Sequence, residues 1–148
     1  MGGAPVGKEL GHEVFKENAG SSGGDGSCMI IVATDAPIDA RDLRRVAARS
    51  VFGLARTGSS YSNGSGDYAV AFTTSPAMRV KFGEPRLRTS TILPSEAVSP
   101  LFEAALEATE EAVYNSLLKA STMTGNLGRT VEAIPVARVK EILAKFRR

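Results

Sequence analysis

Ser27 stands at an abrupt change of composition, and a serine placed there has a chemistry of its own. Ahead of it runs Ala19-Gly20-Ser21-Ser22-Gly23-Gly24-Asp25-Gly26, polar and glycine-rich; directly after it come the apolar residues Cys28 to Ala33 and then Thr34-Asp35-Ala36-Pro37. A chain cut between Gly26 and Ser27 would carry a free α-amine on the serine. Such an amine has a reference pKa of about 7.7–8.0, so part of it is neutral near pH 7 and can take a proton. One residue would then hold both nucleophile and base. The ordinary reading of Gly-Ser ahead of a strand is a loop end, and the dipeptide alone does not separate the two.

The remaining reactive side chains narrow the choice. The 148 residues include one histidine, His12, and one cysteine, Cys28. A Ser-His-Asp triad would have to use His12, whose polar, loop-like surroundings are a poor place to hold a base within hydrogen-bond reach. Zinc sites of clustered Cys and His are excluded on count. No loop has calcium-ligand spacing, and no cofactor is expected. Cys28, set in an apolar run, is expected to be an inert buried thiol. Arg56 and the glycines up to Gly66 suggest an anion-binding loop, but their spacing matches no P-loop.

Length and charge set milder limits. The length suits one domain with a sizeable core. A net charge of +2 and a pI near 8.8 are too balanced to call for a nucleic-acid partner. Arg41, Arg44, Arg45 and Arg49 read as the solvated face of a helix, since charged residues mostly stay exposed. No run approaches the roughly 18 apolar residues of a membrane span, so no membrane partner is expected. Met1 to Pro5 has no secretory h-region. The cytoplasm is the expected compartment, with the periplasm as the alternative.

The elements that must position Ser27 follow from the patterning. Residues 1–26 are expected to be a mobile leader containing the pre-cleavage loop, with one short turn or strand between Val6 and Val14 that little would bury. Residues 28–34 do not alternate and read as a strand buried on both faces. Asp39 caps a helix whose Leu43, Val46, Ala47, Val51 and Leu54 form one stripe, and Gly58 ends it. From Gly58 to Gly66 the chain is nearly all Gly, Ser, Asn and Tyr, a loop by composition. Asp67 to Thr74 is the next strand. Arg79 to Phe82 alternates like an edge strand. Ser99-Pro100 opens a long helix to about Ala120, Thr130 to Ile134 is a short strand, and Pro135 starts a last helix. Helices packed on a sheet result, but the sheet is short of strands. A fully buried first strand needs neighbours that only a partner chain or a longer polypeptide would supply.

Three segments taken together resemble the C-terminal portion of the L-aminopeptidase/D-esterase family, which includes the β-peptidyl aminopeptidases. The first is Gly26-Ser27 with Ile30-Ile31-Val32-Ala33-Thr34-Asp35-Ala36-Pro37. The second is Gly53-Leu54-Ala55-Arg56-Thr57-Gly58, then Asn63-Gly64-Ser65-Gly66-Asp67 and Ala71-Phe72-Thr73-Thr74-Ser75. The third holds Leu101-Phe102-Glu103-Ala104-Ala105, Ala108-Thr109-Glu110-Glu111-Ala112, Met123-Thr124-Gly125, Gly128-Arg129-Thr130 and Ala133-Ile134-Pro135. The motifs occur in the family's order at compatible spacing. Val6-Gly7-Lys8-Glu9-Leu10-Gly11 also looks like its segment ahead of the cleavage loop.

The resemblance implies an α/β fold: part of an N-terminal-nucleophile-type αββα sandwich, incomplete in this chain, with residues 27–148 as its nucleophile-bearing segment. It implies a precursor that cuts itself between Gly26 and Ser27 and an aminopeptidase that hydrolyses peptides, amides or esters bearing a free N-terminus. Ser27 occupies the nucleophile position. Ser65 and Asp67 match the serine and the acidic residue that the family sets beside the new amine, where some relatives have glutamate for Asp67. The same Asn-Gly-Ser-Gly-Asp run also has ordinary turn chemistry. The family's active-site asparagine and tyrosine belong to an N-terminal half not found here, and Asn18 does not stand in for the asparagine. The expected partners are a peptide or amino-acid amide substrate, the N-terminal half of the same precursor, and further copies in a homo-oligomer. The alternative is a non-catalytic fragment that serves only as an associating module.

Overall fold

The computed structural model describes residues 1–11, 26–84 and 87–146. His12, Asn18 and the loop residues before Gly26 lie outside the described residues.

Residues 26–84 and 87–111 make one compact unit. Its frame is a parallel pair, β1 (Met29–Thr34) and β2 (Tyr68–Thr73), in register from Met29 opposite Tyr68 to Thr34 opposite Thr73. Parallel neighbours need a crossover, and helix α2 (Ala40–Arg56) provides it. The Asp39 carboxylate accepts the Asp42 N–H at 2.9 Å and so satisfies one of the free amides of the first turn. At the other end Gly58 takes φ +106°, the left-handed conformation glycine adopts without penalty, and its N–H reaches the Ala55 carbonyl at 3.0 Å.

Ile38, Val46, Val98 and Ala105 form the core of this unit, with Val32, Ala36, Leu43, Ala71, Leu93, Leu101 and Phe102 packed around it. It lies on one side of the sheet. The expectation of a first strand buried on both faces is corrected. Exposure alternates along β1, and Met29 and Ile31 are 66% and 71% exposed. An apolar run without alternation specifies two faces to bury, yet among the described residues elements cover only one. The arginines also depart from a simple solvated face. Arg41 and Arg44 are exposed, but Arg45 and Arg49 lie over the Phe102 ring, 4.9 and 4.3 Å from its centre. The edge strand expected at Arg79 to Phe82 is absent. A 3-10 turn (Pro76–Met78) comes first, and Arg88 donates to the Met78 and Arg79 carbonyls.

Helix α3 (Ser99–Leu118) crosses α2 where a glycine lets the backbones meet. A Cβ on Gly53 would stand 2.4 Å from the Leu106 carbonyl oxygen and 2.8 Å from the Thr109 Cβ.

Residues 1–11 and 112–146 make the second unit. Its core is Ala4 and Val6, on and beside helix α1 (Val6–Glu9), with Val139 and Ile142 of helix α4 (Val136–Phe146). Lys145 pairs with Glu9 at 3.0 Å. Val6 is therefore buried, contrary to expectation, because its apolar partners come from the far end of the chain. A short antiparallel pair, β3 (Met123–Thr124) with β4 (Thr130–Val131), completes this unit.

Candidate functional site

Register explains why Ser27, Ser65 and Asp67 converge. β1 and β2 run parallel and in step, so the residues that lead into them arrive side by side at one end of the sheet. Ser27 is two residues ahead of β1, and the run Ser65-Gly66-Asp67 leads directly into β2.

Three hydrogen bonds tie these two lead-in segments together, and a fourth holds Asp67 within its own segment. The Gly66 N–H donates to Ser27 Oγ at 3.1 Å. The Cys28 N–H donates to Asp67 Oδ1 at 3.0 Å. The Ser65 hydroxyl donates to Asp67 Oδ2 at 2.7 Å. The Tyr68 N–H closes the set on the Cys28 carbonyl at 3.0 Å. Asp67 thus has a partner on each carboxylate oxygen, and one of them is the amide immediately after Ser27. Hydrogen bonds to an ionised acceptor are the stronger kind, so this carboxylate fixes the backbone that carries the serine.

Ser27 itself is exposed. Its hydroxyl accepts from an amide, which places a partial positive charge where negative charge would gather if the oxygen lost its proton. Gly66 comes close on both sides: a Cβ there would sit 3.7 Å from Ser27 Oγ and 3.3 Å from the Tyr68 ring. The Ser65 hydroxyl is on Asp67, not on Ser27, and Asp67 in turn holds the Cys28 amide, one residue further along.

Gly26 precedes Ser27 with no backbone demand of its own. Its φ is outside the left-handed range, and an added Cβ would meet open space. Cys28 is half-buried rather than buried, one residue ahead of β1.

Two contributions were not legible from residue types. The amides of Gly66 and Cys28 are main-chain groups that every non-proline residue carries, so only the register reveals them. Tyr61 is the other. Its phenol donates to the Val51 carbonyl of α2. Partial desolvation of this exposed residue, and next the negative charge of Asp67, push that phenol above its ordinary 10.0. As the one large side chain between Gly58 and Gly66, it was visible in the sequence without a reason to single it out.

The chain as a whole is similar to known proteins. The chain is 40% identical over 158 residues to the beta-peptidyl aminopeptidase BapA of Sphingosinicella microcystinivorans, a match that takes in all of this chain and 40% of that protein. The crystal structure of the PH0078 protein from Pyrococcus horikoshii OT3 superposes with a TM-score of 0.81 at 44% identity, over 99% of this chain and 38% of that one. The L-aminopeptidase D-Ala-esterase/amidase of Ochrobactrum anthropi, described as a variant of the Ntn hydrolase fold, superposes with a TM-score of 0.80 at 27% identity, over 99% of this chain and 39% of its own. The chain therefore spans about two fifths of the length of these relatives. Its fold is part of the N-terminal-nucleophile-type αββα sandwich, incomplete in this chain, as the sequence resemblance implied. The model of peptidase family S58 matches residues 1–131, and the chain belongs to that family.

Proposed function

We propose that this chain is the serine-bearing portion of a self-processing aminopeptidase. The observation that carries the reading is the clamp at Ser27, where Gly66 donates to the hydroxyl and Asp67 holds the next amide. In the first step Ser27 Oγ attacks the Gly26 carbonyl carbon. The Gly26–Ser27 C–N bond breaks, the acyl group passes to Oγ, and the hydroxyl proton passes to the departing nitrogen. Water then hydrolyses the ester, leaving a carboxylate on Gly26 and both a hydroxyl and a free amine on Ser27.

In the second reaction Ser27 Oγ attacks the scissile carbonyl of a peptide, amide or ester that bears a free N-terminus. The Ser27 amine accepts the hydroxyl proton and delivers it to the leaving group. Water releases the acyl group by the same route. The Gly66 N–H stabilises charge on Oγ, and Asp67, held by Ser65, favours the ammonium form of the amine after each transfer. The expected setting is the cytoplasm.

The exposed apolar face of the sheet supports a companion. Met29, Ile31, Tyr68, Val70 and Phe72 all lie on it, each at least 45% exposed. In this reading the N-terminal half of the same precursor covers that face, and the covered protein assembles into a homo-oligomer. The same face also favours the second reading, a non-catalytic associating module.

Mass spectrometry of the purified chain separates the two. Self-processing yields a species beginning at Ser27 that Ser27→Ala abolishes. Hydrolysis of amino-acid p-nitroanilides is then measured with and without a supplied N-terminal half. An intact chain under all conditions, with no turnover even when supplemented, refutes the enzyme and leaves the module.

A further inference from the structure

The segment from Gly58 to Asp67 must hold Ser65, Gly66 and Asp67 against Ser27 and Cys28, although its composition gives it little stiffness. Five of the residues from Gly58 to Gly66 that precede Asp67 are serine or asparagine and three are glycine, the makings of a flexible coil. At its far end the segment is tied to the β1 lead-in by two bonds of the clamp, from Gly66 to Ser27 and from Cys28 to Asp67. Near its start it is tied by Tyr61. The phenol donates to the Val51 carbonyl, and the Tyr61 N–H donates to Ser59 Oγ at 3.4 Å. The backbone of Tyr61 sits at φ +50°, in the left-handed region. A bulky residue there costs roughly 1–3 kcal/mol and persists only when its surroundings over-determine it. The anchored phenol is the surrounding that does so.

We infer that Tyr61 is a positioning residue: its phenol latches the loop to α2 and thereby holds Asp67 on the Cys28 amide beside Ser27. The inference deepens the proposed function and rests on it for its catalytic meaning, while the latch itself is a statement about structure. The charge of Asp67 is felt at the phenol, which agrees with the two groups being neighbours.

The test compares the full chain bearing Ser27→Ala, which keeps it uncut, with the same chain bearing Tyr61→Phe as well. Amide hydrogen exchange is followed by NMR, since exchange reports local opening. The Cys28 amide is expected to exchange about tenfold faster without the phenol hydroxyl, the equivalent of one net hydrogen bond. The Asp42 amide, capped by Asp39 at the other end of α2, is expected to keep its rate. An unchanged Cys28 rate overturns the latch. Equal acceleration at Cys28 and Asp42 also overturns it, because the hydroxyl would then support the whole unit rather than the site. In the Ser27 chain, Tyr61→Phe is expected to slow formation of the Ser27-initiated species about tenfold, again one hydrogen bond's worth. A parent chain that never cuts itself and shows no turnover, alone or with the N-terminal half supplied, sinks the proposed function and leaves the exchange result to decide the latch.

Discussion

Replacing Gly53 by alanine tests the helix crossing that supports the site. α2 carries the crossover between the two strands and supplies the carbonyl that receives the Tyr61 phenol, so its position against α3 matters to both. A Cβ at residue 53 would lie 2.4 Å from the Leu106 oxygen, 3.2 Å from the Leu106 carbonyl carbon and 2.8 Å from the Thr109 Cβ. Two of these obstacles are backbone atoms, which cannot swing aside as a flexible side chain can. To restore ordinary contact the helices must separate by roughly 1 Å, and a gap of that size forfeits up to about half of each neighbouring dispersion contact. Overpacking of this kind costs about 1–3 kcal/mol, and the backbone obstacle points to the upper end. Alanine in a helix interior returns about 1 kcal/mol relative to glycine. The net expectation is a loss of about 2 kcal/mol, the difference between those two effects. With a urea slope of about 2 kcal/mol/M, the midpoint of the transition reported by circular dichroism should fall by about 1 M at unchanged slope. A midpoint equal to the parent's, or above it, would show that helix propensity outweighs the crossing and that the close approach is not needed.

Two further outcomes follow from single sites. Arg45 donates to the Asp42 carboxylate at 2.7 Å and Ser95 at 3.1 Å, and these bonds, led by Arg45, hold it below its ordinary 3.8 against the opposing effect of burial. A depressed carboxyl pKa gives stability that is present above the unfolded value and is lost as pH falls through the folded one. Urea titrations should therefore find the parent more stable than Asp42→Asn at pH 6, with the gap closing as the pH is taken well below 3.8; a gap independent of pH would contradict this. Gly26→Ala should leave the yield and rate of any Ser27-initiated product within about threefold of the parent, since neither a left-handed φ nor a close contact requires glycine there. A block at this position by the single methyl would show that the backbone of the reacting state differs from that of the intact chain.

The helices were legible along the chain because their signals are local. Asp39 as cap, Gly58 as terminator and the stripe from Leu43 to Leu54 place α2 within a residue or two of Ala40–Arg56. Ser99-Pro100 likewise marks the start of α3. Arg79 to Phe82 misled because alternation alone does not make a strand without a partner edge to bond. The Val6 segment misled for the converse reason, its burial coming from Val139 and Ile142 more than a hundred residues away. Ser27, Ser65 and Asp67 were marked as candidates by motif order, a property of sequence. Their hydrogen-bond partners were not, since the Gly66 and Cys28 amides belong to no residue type.

Residue order by itself determined where α2 lies and where α3 begins, that a serine stands at a loop-to-strand boundary, and that a glycine-rich run precedes the second strand. Each of these rests on interactions among neighbours a few positions apart. Only the tertiary structure decided that the two strands run parallel in step, that Asp67 spends one oxygen on the Cys28 amide and the other on Ser65, and that one sheet face is left open among the described residues. Those outcomes depend on a register between segments about forty residues apart, and a shift of one position would send each side chain to the opposite face.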